Sequence, residues 1–200
     1  KPQYVMSDGL RWSHNANYIF WAGNEYRKFE ILSTDVASTG IERIRWDGAD
    51  FHAYPFIALP RLNYLYDEDA NGAFLIRNSN NYHINTESDY MQVHFQLSCP
   101  QPVKGDVYVN GDWTYDRFLP QYKMAYDEES KSYQTVISLK LGYYSYQYIV
   151  LNENGRTEIM PTEGSYYQTE NTYQALVYYR EQGGRTDKLV GYTSFKFKAR

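Results

Sequence analysis

Between Asp106 and Leu151 the chain alternates apolar and polar residues with period two, over a span no amphipathic helix would tolerate. Val107 and Val109 fall on one face of an extended segment. Tyr133, Ile137 and Leu139 share a second face, and Tyr144, Tyr146, Tyr148 and Val150 a third. Asn110-Gly111 and Leu141-Gly142 supply the breaks between strands. Upstream, Met91 to Leu97 alternates without a fault, placing Met91, Val93, Phe95 and Leu97 inside and Gln92, His94 and Gln96 outside. A strand that regular has one buried and one wet face.

The same reading extends to the rest of the chain. Residues 1–17 are expected to be irregular. Strands are expected at 18–22, 28–32, 41–46 and 51–54, with a further short one at 82–84. Segments 62–66 and 73–77 flank Asp67-Glu-Asp-Ala-Asn-Gly72 as a hairpin. Strands at 172–180 and 189–198, turned by Gly183-Gly184, close the chain, and no helix of ten residues is expected. The polar run Asn85-Thr-Glu-Ser88 is the natural boundary. The expected fold class is all-β, with two immunoglobulin-like, early-set β-sandwich domains in tandem at 1–86 and 87–200.

Composition narrows the function classes. Hydrophobic residues at 42% and charged residues at 22% suit a globular chain rather than a disordered one. Twenty-three tyrosines are unusual; each ring buries apolar area while its hydroxyl stays wet, which suits thin sandwiches and binding faces alike. A net charge of −4 with scattered Lys and Arg argues against a nucleic-acid partner. No apolar run approaches the roughly 18 residues of a transmembrane helix. The chain opens at Lys1 without a signal peptide and is read as trimmed, so its start says nothing about compartment. A single cysteine, Cys99, leaves no internal disulfide or cysteine-metal cluster, and with Pro100 beside it and no charged activator it reads as a buried thiol.

Chemistry-bearing motifs are few. His14, His52, His83 and His94 never take a metal-ligand spacing, and His94 sits on the wet phase of its strand. Nucleophile elbows, phosphate loops and dinucleotide fingerprints are absent, so no catalytic residue and no cofactor is expected. Asp67, Asp69 and Asn71 match the opening of a calcium loop, although Asn78 stands where the closing glutamate belongs. An Asp/Asn-Gly turn explains the same letters without metal.

Two resemblances go further. Val107-x-Val-x-Gly-x-Trp113, followed by Leu139-Lys-Leu-Gly-Tyr-Tyr-Ser-Tyr146, resembles the early-set immunoglobulin-like modules, including the glycogen-binding modules of AMP-activated kinase β subunits and branching enzymes. That likeness implies a glycan platform at Trp113, with Tyr115 or Tyr122 as its second ring. A tryptophan capping the sandwich edge is the other reading. The whole chain is similar to the C-terminal region of the type IX secretion system plug protein family of Bacteroidetes. The similarity is carried by Phe20-Trp-Ala-Gly-Asn-Glu-Tyr-Arg-Lys-Phe-Glu-Ile31, Asp67 to Phe74, Asp89 to Leu97, and Glu163 to Arg180 continuing through Gly184 to Gly191. Thr186 and Asp112-Trp113 depart from the pattern.

The second resemblance implies a non-enzymatic periplasmic protein with an additional N-terminal β domain. It would sit at the inner side of the outer membrane and close the large translocon barrel there. Tyrosine-rich loops at 115–122 and 165–173, the latter with Tyr166 and Tyr167, would supply a weakly polar contact surface. The alternative for 163–173 is packing across the sandwich, with its polar groups bonding loop backbone. Arg180 and Arg185 are expected to pair with Glu170 or Asp187. The alternative function is a carbohydrate-binding module of the early-set type.

Overall fold

The computed structural model describes residues 2–13, 18–80 and 83–198. In chain order the strands are β1 (Tyr4–Met6), β2 (Gly9–Arg11), β3 (Arg27–Ile31), β4 (Ile41–Trp46), β5 (Phe51–Pro55), β6 (Phe74–Ile76), β7 (Tyr90–Ser98), β8 (Asp106–Asn110), β9 (Ala125–Asp127), β10 (Ser132–Lys140), β11 (Gly142–Leu151), β12 (Thr157–Ile159), β13 (Asn171–Tyr179) and β14 (Lys188–Phe197). Helical structure includes one turn of α-helix, α1 (Ile84–Glu87), and 3-10 turns at Asp112–Thr114, Pro120–Tyr122 and Pro161–Glu163. The chain is all-β, and among the described residues no helix is long and apolar enough to cross a membrane.

Two compact units divide it: Gly23–Thr169, and Lys1–Ala22 together with Glu170–Arg200. In the first, a five-stranded sheet runs β4-β5-β7-β10-β9, antiparallel except where β5 meets β7. A second sheet is built on β11. Its first half, from Gly142, pairs with β3 and β6, and its second half, to Leu151, pairs with β8 and β12. Gly142 lies where a side chain would strike the Leu75 carbonyl, so β6 can approach only a glycine there.

The inward phases expected from the alternation are the core. Met91, Val93, Phe95 and Leu97 from one sheet meet Phe29, Tyr144, Tyr146, Tyr148 and Val150 from the other, all buried. Rings pack at offset or edge-on angles: Phe29 stacks on Tyr144 at 5.5 Å, and Phe95 meets Tyr146 edge-on at 5.3 Å. The buried hydroxyl of Tyr144 donates to the Lys140 carbonyl at 2.6 Å. Burial drives the Tyr148 pKa well above its ordinary value, because the phenolate would be stranded away from water.

Several expectations are corrected. The boundary at 86/87 does not divide the fold: β3 pairs with β11 and β5 with β7, so both large sheets take strands from either side of it. The polar run at 85–88 is the α1 turn inside the larger unit. Neither 18–22 nor 62–66 forms a strand. There Tyr64 donates its hydroxyl to Glu25 Oε1 at 2.7 Å, and Arg61 donates to the Glu25 carbonyl, so side chains rather than a ladder hold the segment. The start of the chain carries the β1–β2 hairpin instead of being irregular throughout. Of the strand expected at 82–84, Tyr82 lies outside the described residues, as does His14, and Ile84 opens α1.

In the other unit, β1 pairs with β2, and β13 with β14 in a long antiparallel ribbon with a bulge at Val177/Tyr178. Arg180 and Asp187 form a bidentate pair, both bonds 2.8 Å, beside the Lys188–Glu181 pair at 2.6 Å. Glu170 pairs with Lys198 at 2.5 Å. No described residue of this unit is buried.

Candidate functional site

Beyond β8 the chain makes a tight passage. A side chain on Gly111 would lie 2.6 Å from both the Ser145 carbonyl and Trp113 Nε1, so only glycine lets the following 3-10 turn fold Trp113 back onto the sheet. Trp113 Nε1 then donates to the Ser145 carbonyl at 3.3 Å. Its ring lies parallel to Phe95 at 6.4 Å and edge-on to Tyr144 at 5.7 Å and Tyr122 at 5.8 Å. With 7% of its surface exposed, Trp113 caps the core and offers no free face for a sugar.

What the turn presents to solvent is Tyr115. Its φ of 54°, followed by 50° at Asp116, puts two successive non-glycine residues in the left-handed region. That conformation is held by a side-chain chain: Thr114 Oγ1 donates to Asn110 Oδ1 at 2.7 Å, and Asn110 Nδ2 donates to Asp116 Oδ1 at 3.1 Å. Tyr115 is left 73% exposed. It borders an open cleft of about 440 Å³ with Phe74, Tyr90, Tyr122, Tyr144 and Lys140. Tyr144 and Phe74 stack at 6.1 Å on one side, and the Lys140 ammonium lies 5.8 Å from the Tyr90 ring on the other. Trp113, Tyr115 and Tyr122 thus lie around one cleft, as cap, exposed ring and wall.

The cleft runs along a strand edge. β9 covers β10 only at Ser132–Gln134, while β7 takes the other side of β10 throughout. From Thr135 to Lys140 no described strand pairs with the remaining edge, and Val136, Ser138 and Lys140 line the cleft from it. Unpaired backbone donors and acceptors beside a row of rings can accept an extended chain as an added strand. Among the described residues lining the cleft there is no carboxylate and no histidine, so a carboxylate pair has no place in it.

The other candidates lie elsewhere. Tyr166 is a latch, its hydroxyl donating to the Arg61 carbonyl at 2.7 Å and its N–H to the Gly23 carbonyl at 2.9 Å, while Tyr167 beside it is 74% exposed. Glu163, 3% exposed, receives Arg27 Nε at 2.9 and 3.1 Å and has Arg61 Nε at 3.8 Å. Burial acts to lower the Arg27 pKa, but the charge and hydrogen bonds of Glu163 outweigh it and the net shift is upward. Of the segment 163–173, residues 163–169 follow the packing alternative, Tyr167 excepted, whereas 170–173 belong to the other unit and enter β13.

At the calcium-like loop, Asp69 accepts the Tyr26 and Asn71 N–H groups, and Asp67 accepts Lys28 Nζ at 2.6 Å. The Lys28 ammonium, its pKa raised chiefly by that bond, is the cation the loop holds. No group of three or more metal-competent His, Cys, Asp or Glu side chains occurs among the described residues. Cys99 is 5% exposed, with Sγ 2.9 Å from the Gln101 carbonyl.

His94 is not a simply solvated residue. Asp47 Oδ2 lies 2.9 Å from His52 Nε2, and His52 Nδ1 lies 2.8 Å from His94 Nε2. Tyr54 stacks on His94 at 4.3 Å, and the Arg43 guanidinium lies over the Tyr54 ring at 4.2 Å. Sequence reasoning missed this chain because β4, β5 and β7 supply it jointly. It also missed Tyr90 and Phe74. Tyr90 did carry a signal, being an aromatic on the wet phase of a strand whose other outward residues are Gln92, His94 and Gln96.

Fold and cleft together define an all-β protein with a ring-lined, open strand edge. No protein-family model matches the chain, and no curated protein does. A solved structure does: the 2.30 Å crystal structure of a hypothetical protein from Parabacteroides merdae ATCC 43184 superimposes with a TM-score of 0.88 at 36% identity. The match covers 98% of this chain and 50% of that one, so this chain spans about half the length of its neighbour.

Proposed function

We propose that the chain is a non-enzymatic protein-interaction module of the periplasm, built on an early-set immunoglobulin-like sandwich at Gly23–Thr169, whose partner is the outer-membrane translocon of the type IX secretion system. The observation that carries it is the unpaired edge of β10 from Thr135 to Lys140 beside Tyr90, Tyr115 and Tyr122. An extended loop of a partner would add as a strand there, its backbone satisfied by β10 and its side chains gripped by the rings. Resemblance to the plug family supplies the identity of the partner, and the likeness to a Parabacteroides protein agrees with a Bacteroidetes setting.

The test is co-purification. Tagged protein should recover the translocon from solubilised outer membranes, and Tyr90→Ala with Tyr115→Ala should cut recovery about tenfold, as loss of aromatic contacts does at interfaces. Equal recovery by the double variant, with its melting curve unchanged, would contradict the proposal. A second reading, a glycan-binding module, is favoured by the same exposed rings and by Lys140 over Tyr90. In that reading the double variant loses binding to a glycan array while Trp113, being buried, makes no sugar contact.

A further inference from the structure

The unit formed by Lys1–Ala22 and Glu170–Arg200 has strands but no buried residue among those described. Its β13–β14 ribbon carries large apolar residues on both sides. Directly opposed residues of an antiparallel pair share a face. The pair Tyr173–Phe195 therefore lies on one face, and the pairs Leu176–Tyr192 and Tyr178–Leu189 on the other. Phe195 is 63% exposed, Tyr192 60% and Tyr178 58%. Among the described strands β13 and β14 each pair only with one another, so no described strand lies on either outer edge of this nine- to ten-residue ribbon. A lone two-stranded ribbon is marginal in water, and a long apolar edge is an aggregation site unless something pairs with it. Charge at the tip (Arg180, Glu181, Asp187, Lys188) is already internally paired and leaves the apolar middle uncovered.

We infer that this ribbon is the incomplete sheet of a second β body, completed by strands from polypeptide corresponding to the half of the Parabacteroides protein that this chain does not match. The length outside the match is about that of the match itself, since the chain covers 98% of its own length and 50% of its neighbour's. Both end segments of the chain belong to this unit: Asn171 Nδ2 donates to the Ala22 carbonyl at 2.9 Å, and Phe20 packs on Tyr173 at 6.4 Å. Polypeptide joined to either end therefore leaves from the unit that needs covering. Residues apolar on both faces call for cover on both faces, which a docked body with its own core supplies and a single added strand does not. The inference does not depend on the cleft at β10 or on its partner.

Amide exchange followed by mass spectrometry tests it, comparing the 200-residue chain with the natural gene product. In the 200-residue chain, β13 and β14 should exchange nearly unprotected while β7, β10 and β11 stay protected. In the natural product the same ribbon should slow by about two orders of magnitude, as strands of a closed sheet do. Leu176→Arg with Tyr192→Arg should abolish that slowing in the natural product, and should leave exchange of β7, β10 and β11 unchanged in both. Three results would overturn the inference. One is a natural product no longer than 200 residues. Another is a ribbon that exchanges equally fast in both proteins. The third is ribbon protection in the 200-residue chain that rises with concentration, which would make a second copy the cover.

Discussion

The unit Gly23–Thr169 and the β13–β14 ribbon are made of the same material, strands rich in tyrosine and β-branched residues, yet one is a core and the other a surface. Phe95 is 1% exposed and Phe195 63%. The difference is not in local pattern, since both phenylalanines sit mid-strand among alternating or apolar neighbours. It lies in closure. β7 has β5 and β10 as neighbours and a second sheet facing it, whereas among the described strands β14 has only β13. Strand propensity is fit to a half-buried surface, and without the second layer that fit stabilises little.

Substitutions should reproduce this contrast. Phe95→Ala, in contact with Phe29, Tyr146 and Trp113, is expected to cost about 3–5 kcal/mol of unfolding free energy, whereas Phe195→Ala in the same 200-residue chain should stay within about 0.5 kcal/mol. Denaturant melts of both variants measure it, and equal losses would break the contrast. Glu163→Gln should cost about 3 kcal/mol, because Arg27 and Arg61 are left as partly buried cations without their counter-charge. The exposed pair Arg180–Asp187, by comparison, should yield under about 1 kcal/mol to Asp187→Asn in the same melts.

Tyr115→Gly sharpens the comparison from the functional side. Glycine relieves the left-handed backbone, so the melt should rise by about 1 kcal/mol while partner recovery falls. A variant both less stable and weaker in binding would mean that Tyr115 is held for the fold rather than for contact.

The smallest effect is that of pH. Burial first, then the neighbouring charges of His52 and Arg43, lower the His94 pKa from its ordinary 6.5. The unfolded chain therefore takes up the proton first, and stability declines as pH falls through 6.5 and on through the lowered folded value. Asp47, held to about 2 by the N–H groups of Asp50 and Ala49 and by His52, contributes stability above its ordinary 3.8 that disappears as pH falls toward 2. Melting temperature against pH for the wild type and His94→Gln checks the first of these, and the variant should flatten the decline near pH 6.

The strands legible in the sequence were those whose alternation is local. β7, β10 and β11 show Met91 to Leu97, Tyr133 to Leu139 and Tyr144 to Val150 buried on the expected phases. What stayed hidden is set by partners distant in sequence. β3 belongs to β11, and nothing near Arg27–Ile31 announces it, which is why a boundary at 86/87 looked reasonable. Segment 62–66 has strand-forming letters, but Glu25 claims Tyr64 and Arg61 before any ladder can. At the cleft, Trp113, Tyr115 and Tyr122 were legible as a cluster from their nearness in sequence. Phe74 and Tyr90 arrive from other strands, and the open edge of β10 follows only from the short reach of β9.

Gly23–Thr169 should be the folding unit, with the ribbon adding nothing to its stability in the 200-residue chain. Its ends are already clasped, Thr169 Oγ1 donating to the Gly23 carbonyl at 2.8 Å. Denaturant unfolding of a chain cut to residues 23–169 should give one cooperative transition with a free energy within about 1 kcal/mol of the whole chain. A fragment that is unfolded, or that loses most of that free energy, would contradict the account.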